Sequence, residues 1–423
     1  MDPFHFKLPA NYSFKQGDLY DFDAAISWYD WTATSQPVDI DLRPCTRANY
    51  NALSLLVLYV WELHARGCRI AFKTDERGDE NASRAWKMMG AKGWWHVLQN
   101  SSNNFRASQY KPLLAIRDRG DFSKALSKVE AFVSEFNVEY ENTLRYVLSE
   151  LLYNTLEHGV AYRNIDGRST RIPSLIQFTW YRRRNELQFL IADLGVGIKN
   201  HLEQNKSYQP FASDAEAILF ALRPQVSGTF GRNDPYRNKD NAGVGLYLSS
   251  QIVRRLRADL YIISGNGLVH VSPTDVTSQS LRHAWPGTFV LFDIHLSPHL
   301  DINFHQMMSE LRESARREVH NGHSAEEENI FYFSLENYFG RHAEDKASAI
   351  LHRDRSLIPA VDAGKTLRLD FDNVQAAPHS FLSALLATPV KRLGMAAYKK
   401  IKILNATPEI RETIDYILDE NTS

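Results

Sequence analysis

ENTLRYVLSELLYNTLEHG, residues 141–159, holds no Pro and no Gly before its last position. Leu144, Leu148, Leu151 and Leu152 recur at three- and four-residue steps, the stripe of an amphipathic helix. Glu150 and Asn154 are four apart, so they share another part of the same surface, one turn from each other. An amide oxygen on Asn154 suits a hard cation such as Mg²⁺. A carboxylate one turn away can hold and deprotonate a water beside a terminal phosphate. His158 follows one turn later, and Gly159 ends the helix where a left-handed cap residue is expected.

Three further boxes follow in order. Leu175 to Tyr181 alternates, with Ile176, Phe178 and Trp180 on one face; Arg183, Arg184 and Asn185 turn the chain, and Leu187, Phe189 and Ile191 alternate again. Asp193 ends that second strand, where a carboxylate can accept a hydrogen bond from an exocyclic amine such as adenine's. Gly195 and Gly197 let the backbone approach a flat base and turn sharply. Gly243-Val244-Gly245-Leu246 opens an amphipathic run whose helical N-terminus favours phosphate. Gly287-Thr288 begins the apolar strand Thr288 to Ile294 and sets a small residue and a hydroxyl beside the base. Between Ile198 and Asn241 lies a lid. Ser213 to Leu222 reads as a short helix stopped by Pro224, and the polar segment after it carries Ser227, Thr229, Arg232 and Lys239 toward phosphates.

In this order the boxes resemble the GHKL ATPase superfamily, which covers gyrase B, MutL and the ATP-binding domains of histidine kinases. The resemblance spans residues 120–296, with the lid at about 199–242. Its nearest flavour is the anti-sigma serine-kinase branch, because His158-Gly159 follows the Asn at that branch's spacing. The resemblance implies an α/β sandwich with a mixed sheet and ATP and Mg²⁺ as cofactors. It implies Glu150 as general base, Asn154 on the Mg²⁺ and Asp193 on adenine. His158, Gly195, Gly197, Ser227, Thr229, Gly243, Val244, Gly245, Leu246 and Thr288 would line the nucleotide. Three activities fit: an ATPase switch, a protein serine/threonine kinase of the anti-sigma type, and a nucleotide-sensing scaffold that does not hydrolyse. A histidine kinase fits less well, since no helical hairpin with a phosphoacceptor His precedes the core. An ATP-dependent homodimer follows from the resemblance alone.

The flanks read as small α/β modules. In residues 1–110, Val38 to Leu42 is a strand, Ala48 to Arg66 a helix closed by Gly67, Cys68 to Phe72 a strand and Ala82 to Met89 a helix ended by Gly90. This resembles a STAS domain, the anti-sigma-antagonist fold, in which a Ser or Thr at the start of the first helix is a phosphoacceptor; Thr46 is the nearest residue. Residues 297–328 form a charged helical linker. In residues 329–423, Lys365 to Phe371 is a strand, Phe381 to Ala387 a helix, Lys400 to Leu404 a strand and Pro408 to Leu418 a helix, again STAS-like. Ser380 stands at the helix start as an N-cap or phosphoacceptor. The two similar flanks raise an internal duplication. The expected fold is therefore α/β (α+β), three domains, with protein partners docking on the STAS-like modules.

The chain has 423 residues, 43% of them hydrophobic, enough for two or three cores. A net charge of −1 excludes a global basic signature for nucleic acid, although Arg182 to Arg184 and Arg254, Arg255 and Arg257 cluster locally. Cys45 and Cys68 have neither metal spacing nor a disulfide framework. The longest apolar stretch, Leu53 to Trp61, is too short to span a bilayer, and the N-terminus lacks a signal pattern, so a cytoplasmic location is expected.

Overall fold

The computed structural model describes residues 3–16, 19–75, 81–108, 111–133, 138–165, 167–205, 208, 210–224, 226, 245–296, 303–321 and 330–422. The chain divides into two units, residues 1–14 with 21–317 and residues 15–20 with 318–423.

The first unit opens with a parallel three-stranded sheet. Strands β1 (Phe4–Lys7), β2 (Pro37–Asp41) and β3 (Arg69–Lys73) lie in that order, and helix α1 (Tyr50–Ala65) crosses between β2 and β3. Asn49 caps α1 by accepting from the Ala52 N–H at 2.9 Å, and Gly67 leaves it at φ +77°. Helix α2 (Ala82–Met88) follows, capped by Asn81.

Next come β4 (Leu113–Ile116), α3 (Arg119–Val133), α4 (Val138–His158) and the hairpin β5 (Ala161–Ile165) and β6 (Arg168–Ile172). After these run β7 (Ser174–Tyr181) and β8 (Glu186–Ala192), α5 (Ile198–Glu203), α6 (Asp214–Ala221) and α7 (Gly245–Arg255). The long hairpin β9 (Asp259–Val271) and β10 (Val276–His295) and helix α8 (Phe304–Asn321) complete the unit. Five strands form one sheet in the order β9-β10-β8-β7-β4, antiparallel at every pairing. The expected mixture of parallel and antiparallel strands is thus met by separate sheets, not within this one.

The hairpin Ser174–Ala192 carries the alternation read from the sequence, with Asn185 supplying the turn at φ +49°. Ile176, Phe178, Trp180, Leu187, Phe189 and Ile191 pack under α3, α4, α7 and α8, together with Leu144, Leu148 and Leu151 of α4 and Met307, Met308 and Leu311 of α8. The opposite face, Leu175, Gln177, Thr179, Gln188 and Leu190, is equally buried because α1 lies across it. Polar groups there are tied together, as burial requires. Asn51 of α1 donates to Gln188 Oε1 at 3.1 Å, and Gln188 donates to Glu186 at 2.7 Å and to Asp293 at 3.0 Å. Residues 1–14 and 21–110 therefore belong to one compact unit with 120–296.

The second unit has its own parallel sheet, β11 (Ile330–Ser334), β12 (Thr366–Asp370) and β13 (Ile401–Leu404), in that order. Helices α9 (Lys346–His352), α10 (His379–Leu393) and α11 (Pro408–Asn421) enclose its core with Phe333, Leu367, Leu369, Leu385 and Ile414. Helix α10 is longer than the expected 381–387 because it runs on through buried Pro389. Among the described residues no helix is long and apolar enough to cross a membrane.

Phe292 of β10 is fully buried and stacks on Phe189 at 4.6 Å between ring centres. Phe292→Ala is expected to cost about 3–5 kcal/mol, read from the midpoint of guanidinium unfolding at unchanged slope. A loss below about 1 kcal/mol would show that this contact is not in the core.

Candidate functional site

Helix α4 positions the first pair. Glu150 is half-buried near the helix middle, and Asn154 is half-buried one turn on, with no side-chain hydrogen bond among the described residues. Burial raises the Glu150 carboxyl above its ordinary range, opposed by a hydrogen bond from the Tyr146 hydroxyl and by the positive field of Arg312 on α8. Tyr146 escaped the sequence reading, yet it lies four residues before Glu150 on the same stripe. Gly245, the first residue of α7, meets this carboxylate so closely that a Cβ there would collide with it.

Asp193 sits just past β8 and is 5% exposed. Its Oδ1 accepts the N–H groups of Gly195 at 2.9 Å and Thr288 at 3.2 Å; Oδ2 accepts none among the described residues. Burial pushes the carboxyl up to about 6, and the two N–H donors act the other way. Glycines crowd around it. A Cβ on Gly159 would stand 2.7 Å from the carboxylate carbon, and one on Gly195 would stand 2.7 Å from the Gly159 Cα. Gly287 abuts the Asp193 backbone too closely for any side chain. Gly159 was expected in a left-handed cap, but it continues the helical hydrogen bonding from Thr155 at 2.9 Å and is not among the positive-φ glycines; space, not φ, demands it. Gly197 does need its backbone freedom, at φ +77°.

Thr288 lies beside Asp193, with its hydroxyl 3.1 Å from Ser264 Oγ of β9. Ser264 also donates to the Gly287 carbonyl at 3.0 Å and accepts from the Ile198 N–H at 2.9 Å, fastening the start of α5 to the Gly287-Thr288 turn. Nothing in its local sequence marks Ser264, because β9 and the first half of β10 were not read as a hairpin. Trp285 Nε1 donates to the Asp193 carbonyl at 2.9 Å. His158 closes α4, its ring 4.0 Å from that of His201 on α5; burial lowers the His201 pKa.

The Asp193–Gly197 and Gly287-Thr288 boxes thus meet at the Gly159 end of α4, and Gly245 meets Glu150 further back along the same helix. Leu246, expected at the nucleotide, is half-buried and packs against the hydrophobic core. Ser227, Thr229, Gly243 and Val244 lie outside the described residues, as do Arg232 and Lys239. The helix expected at 213–222 is present as α6, capped by Ser213 on the Glu216 N–H at 3.1 Å.

Thr46, the nearest residue to the phosphoacceptor position, lies ahead of the first helix: Asn49 caps α1, and the Thr46 hydroxyl donates to the Ala10 carbonyl at 3.1 Å. Ser380 is not an N-cap. Pro378 holds that position without a side-chain bond, and Ser380 is the exposed second residue of α10. Capping needs extended backbone at one residue, and ahead of α10 that residue is Pro378, at φ −65° and ψ 154°.

Residues 349–411 match the family described as a STAS-like domain of unknown function (DUF4325), so the second unit contains a STAS-like domain. Neither a curated protein nor a solved structure matches the chain.

Two outcomes test this geometry. A buried carboxyl whose folded pKa, about 6, exceeds its unfolded value of 3.8 holds its proton longer in the folded state. Its contribution therefore favours folding at low pH and is lost as pH rises from about 4 to 6, by an amount on the order of 3 kcal/mol. The stability of wild type minus that of Asp193→Asn should fall across that window and level off above it; a flat difference would contradict the burial. Gly245→Ala should cost about 1–3 kcal/mol by pushing against Glu150. Adding Glu150→Ala should recover most of that, and strict additivity would rule the contact out.

Proposed function

We propose that the chain binds ATP with Mg²⁺ in the manner of the GHKL ATPases and hydrolyses it, and that lid closure switches how partner proteins dock on its STAS-like modules. The observation that carries this reading is that the sequence boxes meet along α4, with Gly245 against Glu150 in the helix and Gly159, Gly195 and Gly287 packed around Asp193 at its end. The residues fit the nucleotide. Asp193 Oδ1 is saturated by two N–H donors, leaving Oδ2 for an exocyclic amine.

ATP and Mg²⁺ would supply the phosphoanhydride bond and the charge that offsets its phosphates. Glu150 holds and orients a water and takes its proton. The raised pKa makes it a better base, and the Tyr146 hydroxyl fixes its direction. Asn154 offers its amide oxygen to the cation. Thr288 and Ser264 brace the turn behind the base. The start of α5 follows Gly197 directly, so a nucleotide bound at Asp193 bears on the lid. By the same resemblance, ATP favours a homodimer.

A second reading is a serine/threonine kinase acting on a STAS-like domain, favoured by the exposure of Ser380 in the first turn of α10. A non-hydrolysing sensor is the third.

Phosphate release and ATP binding on the same samples separate them. Glu150→Ala is expected to lower release at least about 100-fold while binding persists, and Asn154→Ala to lose the Mg²⁺ dependence. Binding by wild type without release selects the kinase or the sensor, and mass spectrometry for phosphate on Ser380 decides between those two. Absence of ATP binding by wild type ends the reading.

A further inference from the structure

The first and second units contain the same small module, matched in its topology and in several backbone hydrogen bonds. Each has a parallel sheet ordered first, second, third strand, with a long helix crossing from the second to the third. Leu42 N–H donates to the Lys73 carbonyl at 2.9 Å, and Phe371 N–H donates to that of Leu404 at 3.0 Å. Cys45 closes a turn on Leu42 at 3.2 Å, as Val374 does on Phe371 at 3.0 Å. The Thr46 and Arg47 N–H groups share the Ala10 carbonyl at 2.9 and 3.0 Å; those of Gln375 and Ala376 share Arg341's at 2.8 and 3.3 Å. Arg47 pairs in parallel with Asn11, as Ala376 does with His342. The helices then start at equivalent positions, after Asn49 and after Pro378. The spacing is constant from Leu42 to Tyr50 and from Phe371 to His379, so Asn51 corresponds to Ser380 and Glu62 to Lys391.

At these positions the copies differ in what they touch. Ser380 and Lys391 are exposed, whereas Asn51 is buried against Gln188 of the five-stranded sheet and Glu62 against the β5–β6 hairpin. Glu62 is 3% exposed, with one carboxylate oxygen on Arg66 and the other on Arg163 Nε of β5, each at 2.8 Å. Arg163 extends a second nitrogen to the Leu194 carbonyl at 3.5 Å, inside the Asp193 box. A second route runs through Trp285, which donates to the Asp193 carbonyl and packs 5.3 Å from Trp31 and 5.9 Å from Tyr29 of the first module.

We propose that the N-terminal segment is a second STAS-like module docked in cis as a resident regulator of the nucleotide site, and that Glu62, acting through Arg163, is a positioning residue for the Asp193–Gly197 loop. The role assigned to that loop rests on the ATP-binding reading above. The module's docking is then thermodynamically linked to nucleotide affinity: what loosens α1 from β5 and β8 weakens binding, and bound nucleotide tightens the docking.

The test uses the full chain with Glu62→Gln, Arg163→Gln, their double variant and Arg163→Lys. Two quantities are read: amide hydrogen exchange over residues 193–197 without nucleotide, and the Kd for ATP. Either glutamine variant is expected to speed exchange in that loop and weaken ATP about tenfold, the double variant to add little, and Arg163→Lys to restore part of the loss. Unchanged exchange at 193–197 in both single variants overturns the proposal. Should Arg163→Gln fail to fold, the near-isosteric Glu62→Gln carries the decision alone. Faster loop exchange in a chain whose wild type binds no ATP would sustain the positioning role and remove the nucleotide reading, so the two failures remain distinct.

Discussion

Strand β8 has no face left for water, and the architecture of the first unit follows from that. Leu187, Phe189 and Ile191 point into the helical layer, while Gln188 and Leu190 point at α1. A strand buried on both sides must satisfy every polar side chain it carries. Gln188 does so with Glu186, Asp293 and Asn51, which makes the α1 contact specific as well as apolar. The same strand delivers Asp193 to its end, so the packing that closes the sheet also sets where the most buried carboxylate of the site stands.

That carboxylate explains the glycines better than turn geometry does. Gly159, Gly195 and Gly287 belong to three separate elements, yet each is glycine because it must approach Asp193 or another of the three. The arrangement is costly without a ligand: a carboxyl raised by burial keeps one oxygen without a donor among the described residues. Sites that hold such a group are places where a ligand can supply the missing partner. Burial raises the Glu150 carboxyl too, and there Tyr146 and Arg312 oppose it.

The two small parallel-sheet modules show how one topology serves two situations. In the second unit, the long helix α10 is packed by its own module's helices and keeps Ser380 and Lys391 in solvent. In the first, the equivalent helix has Asn51 and Glu62 at those positions and lies on the five-stranded sheet. The change in residue type follows the change in neighbour. A carboxylate is tolerated at Glu62 because Arg66 and Arg163 share it, and a lysine at Lys391 because water does.

Much was legible without coordinates. The hairpin Ser174–Ala192, α4 and α6 followed from periodicity and capping residues, since those signals are local. So did the strand–helix–strand order of both flanks. The hairpin β9–β10 was missed in large part because its first half alternates weakly and its register shifts near Gly265. Sequence spacing also put Glu150 and Asn154 on one helix. Only the tertiary structure decided that Gly245 abuts Glu150, that Ser264 and Trp285 brace the Asp193 turn, and that residues 1–14 and 21–110 share a core with the sheet. Periodicity tells a side chain which face it occupies but not which element covers that face. That choice is made by contacts between residues far apart in the chain, such as Asn51 with Gln188 and Glu62 with Arg163, which leave no local trace in the sequence.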